Sequence, residues 1–429
     1  MLRAFIDAFK IPDLRNKILF TLFIIAIYRV GAHWPVPNVD VTAARAAGGV
    51  AGGQGNVLAF IDLFAGGALQ NFAIFALGIM PYITSSIIMQ LLTVVIPKLE
   101  QWQKQGEVGV KKITQWTRYM TVTLAVLQST GLLFLINNQS IEAGTPVFQE
   151  FTPPRVAFMV LILTAGTALI MWLGELITQR GIGNGMSILI FVSVVSALPS
   201  QGTLLLQQLS TPMFVAMLVL GIAIIGAVVF MEQGQRRIPV QYAKRVVGRR
   251  MTSGGSTYIP LKVNQSGVIP IIFASSVLYF PTLLASVIQW APFQRFVNNV
   301  LVNQASPGYI ITFGLMVVFF AYFYTAITFN PVDTADNIRK YGGFIPGIRP
   351  GRPTADYLAK VLNRITLPGS LFLATIALVP SIAFALLLVD PNAFPFGGTT
   401  ILITVGVALE TAKQLESQLT MRHYEGFLR

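Results

Sequence analysis

The sequence predicts an all-α polytopic membrane protein with ten transmembrane helices, and three observations carry that prediction. Of the 429 residues, 54% are hydrophobic and 11% charged, and mean hydropathy is +0.67, whereas a soluble domain carries about 25% charged residues. Apolar runs of spanning length recur along the whole chain, in place of the short alternating segments of an outer-membrane barrel. Lys and Arg fall almost entirely on one side of the membrane once ten spans are counted.

The first span is expected at 18–36, after a charged, amphipathic stretch from Met1 to Lys17. No small-residue cleavage site follows it, so it is read as a retained span. The second, at 72–96, is preceded by an unusual segment. From Ile61 to Pro97 the apolar run is too long for one span and lacks the polar turn that would make it two. A short, glycine-punctuated preface, Ile61-Asp-Leu-Phe-Ala-Gly-Gly-Ala-Leu-Gln70, therefore precedes a complete span. Further spans are expected at 117–137, 155–175, 186–203, 213–232, 267–290, 308–329, 366–389 and 398–414. The fifth is closely bracketed by Gly183, Gly185 and Pro199.

Ten spans place both termini on the side that holds nearly all the basic residues, which is the cytoplasmic side. The other side holds Arg45, Arg155 and Arg295, and Arg29 lies inside the first span. Two cytoplasmic loops are longer than insertion requires. The loop at 233–265 contains Gln235-Arg-Arg-Ile-Pro-Val-Gln-Tyr-Ala-Lys-Arg-Val-Val-Gly-Arg-Arg250, whose partial alternation, with the later Ser256-Thr-Tyr-Ile-Pro-Leu-Lys-Val263, predicts a β-hairpin standing off the membrane. The loop at 330–365 contains Phe344-Ile-Pro-Gly-Ile-Arg-Pro-Gly-Arg-Pro353. These charges serve topology and contact with anionic lipid. A Pro/Gly-fixed loop with Arg349 at its tip also makes a rigid finger, and the pair reads as a docking surface for something acidic, such as a motor protein or ribosomal RNA.

Residues for covalent or coupling chemistry are scarce. The histidines are His33 and His423, on opposite sides, and there is no cysteine; thiolate catalysis is excluded and a His-rich metal site is implausible. No Asp lies within a span, and Glu100, Glu175, Glu232, Asp390 and Glu410 sit at or near span ends, unlike the midplane ionisable groups of coupled transporters. Arg180-Gly-Ile-Gly-Asn-Gly-Met186 lacks the Lys and the strand–helix context of a phosphate cradle and is read as a tight cytoplasmic turn. No catalytic residue, metal or cofactor is expected. The pattern suits a passive conduit driven by partners, sealed by apolar side chains that exclude water. Ile79 and Ile83 lie one helical turn apart around Pro81, as sealing residues or as ordinary helix packing.

Motifs along essentially the whole chain resemble one family. Asp62-Leu-Phe-Ala-Gly-Gly-Ala-Leu69, Ala76-Leu-Gly-Ile-Met-Pro-Tyr-Ile83, Met171-Trp-Leu-Gly-Glu175, Arg180-Gly-Ile-Gly-Asn-Gly185, Gln235-Arg-Arg-Ile238, Gly267-Val-Ile-Pro270, Phe329-Asn-Pro331 and Pro346-Gly-Ile-Arg-Pro-Gly351 occur in order on the expected topology. They are similar to the SecY family of protein-translocation channel subunits, in their bacterial form. The resemblance implies two pseudo-symmetric five-helix halves around a central pore, 1–203 and 204–429, hinged near 203–213, with a short plug helix at about 61–70.

By the same resemblance the plug comprises Asp62, Leu63, Phe64, Gly66, Gly67 and Leu69, and its burial is expected to be modest in energy, so that an entering chain can displace it. A pore ring is implied at Ile79, Ile83, Met186, Ile190, Ile272 and Ile403; Met186 stands where the family usually has isoleucine. A lateral gate between spans two and three on one side and seven and eight on the other would carry Gln90, Gln128 and Ser276. Cytoplasmic docking would use Arg236, Arg237, Arg245, Arg249, Arg250, Arg349 and Arg352. Expected partners are the membrane subunits SecE and SecG, the ATPase SecA, the ribosome with its RNA, secretory and membrane-protein substrates, and anionic lipids. The expected location is the bacterial cytoplasmic membrane. A ten-helix secondary transporter or small-solute channel is the alternative, and it would need a specific midplane binding site.

Overall fold

A computed structural model describes residues 9–43, 62, 64–142, 147–208, 210–242, 245–247, 250–252, 256–287, 290–303, 306–387 and 398–427. Among the described residues a helix lies on each of the ten expected spans. These are α1 (Pro12–Gly31), α2 (Met80–Val95), α4 (Glu107–Glu142), α5 (Pro153–Arg180), α6 (Gly185–Gln208), α7 (Thr211–Gln233), α8 (Ile269–Val287), α10 (Pro307–Thr328), α12 (Arg352–Leu387) and α13 (Gly398–Phe427). The remaining helices are short: α3 (Pro97–Lys104), α9 (Ala291–Val297) and α11 (Pro331–Lys340). Five helical spans are long and apolar enough to cross a membrane by length and composition, and a sixth is the pair α2 and α3, bent by 100°.

Local sequence explains several boundaries. Proline occupies the first turn of α1, α2, α3, α5, α7, α10 and α11, where its missing N–H costs nothing. Asn330 caps α11 by accepting from the N–H groups of Val332 and Asp333. In the turn between α5 and α6, Asn184 Oδ1 accepts from the N–H groups of Met186 and Ser187. Thr178 Oγ1 accepts from Gly185 N–H, and Gly183 takes φ +75°. The tight turn expected at 180–186 is therefore present.

Two expected spans are displaced. The first helix ends at Gly31, not 36, because the chain beyond it pairs with residues 72–74: Val36 N–H donates to Phe72 O, and Pro35 and Ala73 form an antiparallel bridge. The second begins at Met80, not 72, because residues 66–79 run as successive turns with Gly66, Gly67 and Gly78 at positive φ. For the same reason the expected plug helix at 61–70 is shorter than a helix of that span. Asp62, Phe64 and Ala65 have helical backbone and the chain turns at Gly66; Ile61 and Leu63 lie outside the described residues.

The helices of each half pack on one another, α1 on α5, α2 on α4, α4 on α5 and α5 on α6, then α8 on α10, α10 on α12, α12 on α13 and α7 on α13. The halves meet along two seams. On one side α8 packs against α2 and α4, and on the other α6 packs against α13.

The hairpin expected in the loop at 233–265 is present as β1 (Gln235–Tyr242) paired antiparallel with β4 (Ser256–Lys262), with Ile238 opposite Ile259. Between them, β2 (Arg245–Val247) and β3 (Arg250–Thr252) form a second two-stranded ribbon. The second loop contributes β5 (Gly343–Phe344), which pairs with the far edge of β1. Ile238, Val240, Leu261, Ile338, Ile345, Leu358 and Val361 bury a separate apolar core beneath this sheet. The two long loops thus form one body.

Candidate functional site

One continuous apolar cluster occupies the centre of the bundle, and five of the six ring candidates are buried in it. Ile79, Ile83, Ile190, Ile272 and Ile403 come from α2 or its entry, α6, α8 and α13, so both halves of the chain supply them. Met186 is half-buried at the edge of the cluster. Its sulfur lies against Gly174 of α5, where a Cβ would stand 2.1 Å from it, so this thioether fills the seam between α5 and α6.

The seam between α8 and the pair α2 and α4 is shut by packing. Of the three polar residues expected along it, Gln90 is half-buried and Ser276 donates its hydroxyl to Ile272 O at 2.8 Å within its own helix. Gln128 is 4% exposed, and its Nε2 has no hydrogen-bond partner among the described residues. A buried amide without a partner costs stability where it stands.

The segment ahead of α2 has several fully buried residues. Phe64 is 1% exposed, Ala65 and Ala68 are 0%, and Leu69 is 8%. The area involved is nevertheless small, because four of the residues from 65 to 68 are Ala or Gly. Phe64 and Leu69 carry most of the apolar contribution, about 2 kcal/mol each. High fractional burial and limited total anchoring therefore coexist.

Asp62 closes this segment on itself. Its Oδ1 accepts from Leu69 N–H at 3.0 Å and Gln70 N–H at 3.4 Å, and its Oδ2 accepts from Gln70 Nε2 at 2.7 Å. Burial pushes the carboxyl up to about 6, against the lowering effect of these hydrogen bonds. The residue lies in the connection between the first two spans, outside any spanning helix.

Four residues at the site escaped the sequence reading. Arg29 donates to Gly66 O at 2.7 Å and to Ser196 Oγ at 2.8 Å. The Tyr28 hydroxyl lies 2.6 Å from Ser193 Oγ and donates to Ala65 O at 3.3 Å. Arg29 was visible as a charge inside a span, which is a recognised signal of function. The other three look like ordinary span residues. Arg118 of α4 and Glu175 of α5, the latter noted above only as an acidic residue near a span end, form a two-pronged ion pair at 2.8 and 2.6 Å.

On the cytoplasmic sheet, Arg236 and Arg237 are exposed on β1, and the Arg237 guanidinium stacks 4.8 Å from the Tyr258 ring centre. Arg349 is exposed on a turn stiffened by Ile348 N–H to Ile345 O and by Thr354 Oγ1 to Arg349 O, at 3.0 and 2.8 Å. Gly347 and Gly351 take φ +82° and +101° there. Arg352 is exposed at the start of α12. Arg245 and Arg250 lie on the small ribbon β2 and β3, and Arg249 falls outside the described residues.

Comparisons with known proteins bear on what this arrangement does. The SecY family model matches residues 73–412. Among curated relatives, "Protein translocase subunit SecY" of Streptomyces lividans is 54% identical over 444 residues, covering 100% of both chains. The protein of the same description from Mycobacterium tuberculosis strain H37Rv is 50% identical with the same coverage. Among solved structures, "The structure of a protein conducting channel" matches with a TM-score of 0.64 at 16% identity, over 94% of this chain and 92% of that one. "Sec61 in the Canine ribosome-channel complex from the endoplasmic reticulum" matches with a TM-score of 0.60 at 15% identity, over 94% and 92%.

Proposed function

The chain belongs to the SecY family, and from that premise we propose that it is the protein-conducting subunit of a bacterial translocase. It moves unfolded secretory polypeptides across the cytoplasmic membrane and releases apolar segments sideways into lipid. The observation that carries this reading is the burial of Phe64, Ala65, Ala68 and Leu69 in the same apolar cluster that holds Ile79, Ile83, Ile190, Ile272 and Ile403, drawn from both halves of the chain. An apolar constriction beneath a small-residue stopper seals without charge. A solute transporter would need a polar midplane site instead.

In this reading the halves 1–203 and 204–429 part at the seam of α8 with α2 and α4. A signal sequence enters there, driven by its apolar area, and the unpaired amide of Gln128 gains partners as the seam opens. Work comes from outside, because the chain offers no residue set for nucleotide hydrolysis and acts as conduit rather than catalyst. The ATPase SecA or the translating ribosome docks on the cytoplasmic sheet through Arg236, Arg237, Arg349 and Arg352. SecE and SecG complete the membrane assembly, and both termini face the cytoplasm.

The test exploits the absence of native cysteine. Ile83→Cys, assembled with its small subunits in membranes, is given the motor and a stalled secretory substrate carrying one cysteine. A disulfide that forms only with ATP and substrate together places the moving chain at the constriction. Absence of crosslinks at Ile83, Ile190 and Ile272 alike, in a preparation that translocates, would show that the conduit lies elsewhere.

A further inference from the structure

The plug needs a holding force that is firm at rest and yields to an entering chain. We propose that Tyr28 and Arg29 of α1, with Ser193 and Ser196 of α6, form a polar latch that grips the plug by its backbone carbonyls and sets how readily the resting channel opens. The inference rests on reading 62–69 as the plug.

The latch follows from the backbone. Gly66 turns left-handed at φ +66°, which ends the helical turn and leaves the buried Gly66 carbonyl to side-chain donors, while Ala65 O keeps one long backbone bond, from Ala68 N–H at 3.4 Å. Arg29 supplies Gly66 O, and the Tyr28 hydroxyl reaches Ala65 O. Ser196 lies 3.4 Å from Gly66 O and also accepts from Arg29. A guanidinium within a span is costly unless its protons are used, and here it bonds the plug and the wall together. A Cβ at Gly66 would meet Ser193 Cα at 3.0 Å, so glycine is what allows the plug backbone to approach the wall of α6 closely.

Three further features make the latch reversible and directional. Arg29 also lines an open cleft with Val30, His33, Trp34 and Pro35, so water can replace the plug carbonyl when the plug leaves. Both donor helices belong to the N-terminal half, so separation of α8 from α2 and α4 leaves the latch intact. Breaking it is a separate step. Asp62 binds Leu69 and Gln70 within the segment, so the plug moves as one closed loop. Because the latch reads carbonyls, it is insensitive to the plug's side chains and sensitive to those of α1 and α6.

The experiment measures plug excursions without any motor. Ala68→Cys, buried at 0% exposure, is introduced into the full chain assembled with its small subunits in vesicles, and its reaction with a membrane-impermeant maleimide is timed. Arg29→Met is expected to raise the labelling rate about tenfold or more, since a charge-assisted hydrogen bond is lost. Arg29→Lys should restore part of the protection. Ser193→Ala combined with Ser196→Ala should fall between, and carries the test if Arg29→Met fails to assemble. Thr167→Ala, which removes a buried hydroxyl bonded to Leu163 O in its own helix, should change nothing. The latch is refuted if Arg29→Met and the double serine variant both label at the parental rate. Fast labelling of Ala68→Cys in the otherwise unaltered chain would instead sink the plug reading itself. In transport assays, the latch variants should also accept substrates with weakened signal sequences, an outcome that simple destabilisation would not produce.

Discussion

Gly78→Ala should push the plug out of its seat, and a matched control isolates the cause. Gly78 sits at φ +57° in the turns before α2, and a Cβ there would stand 2.7 Å from Phe64 O and 2.8 Å from Ala65 Cα. Both contacts are with plug backbone, which cannot rotate away. Gly67, at φ +84°, has nothing within 4 Å of the same construction. Alanine at either position bears the left-handed strain, about 1–2 kcal/mol. Only Gly78→Ala adds a clash, about 1–3 kcal/mol, and that clash is relieved when the plug leaves. The extra bias toward the open state is therefore roughly fivefold to more than a hundredfold. Halide efflux from vesicles carrying the assembled channel, without motor or substrate, reads it directly. Gly78→Ala should leak clearly more than Gly67→Ala. Equal leakage by the two variants, in preparations with equal channel content, would refute the assignment of Gly78 as the plug's seat.

Two further outcomes follow from the site. Asp62 is raised to about 6 when buried in the closed plug and returns toward 3.8 when exposed; a raised carboxyl favours the closed state at low pH, with the effect lost as pH rises through about 6. Between pH 7 and pH 5 the closed state should gain about tenfold; Asp62→Asn should abolish this dependence of resting efflux. Asn264→Ala removes the donor that ties Glu232 Oε2 at 2.9 Å to Gly267 O at 3.1 Å at the root of the hairpin, a loss of about 1–3 kcal/mol; motor binding to the sheet should persist while motor-driven translocation falls, and unchanged translocation would show that the root transmits no force.

What the sequence made legible depended on how local each cause was. Apolar runs and the one-sided distribution of Lys and Arg are properties of single segments, and each expected span overlaps a helix among the described residues. The hairpin was legible because Gln235–Tyr242 and Ser256–Lys262 each alternate on their own. Its third strand was not, because two residues, Gly343 and Phe344, carry no period. Likewise the helix expected across the plug fails at Gly66 and Gly67, which take positive φ, and at Gly66 the turn brings the backbone against the wall of α6. Arg29 stood out as a lone charge within a span, but its partner Gly66 O lies 37 residues away. No pattern in the chain announces that a carbonyl will be left unpaired there.

The root of the cytoplasmic sheet links docking to the seam. Strand β1 leaves α7 at Gly234, and Val263 N–H at the end of β4 donates to Gly234 O at 3.0 Å, closing the base of the hairpin. Asn264 then bonds Glu232 at the end of α7, and Lys413 of α13 reaches Glu232 O at 3.3 Å. Val263 O also lies against Gly369 of α12, where a Cβ would stand 2.4 Å from it. A load applied to Arg237 or Arg349 therefore meets a base fixed to α7, α12 and α13, with α8 starting five residues beyond Asn264. Helix α8 is the one that shuts the seam against α2 and α4. The plug, by contrast, is gripped by α1 and α6, which the sheet does not touch through these bonds. On the proposed reading, docking would act on the seam first and leave the latch to the entering chain, so that partner binding alone would not breach the membrane seal.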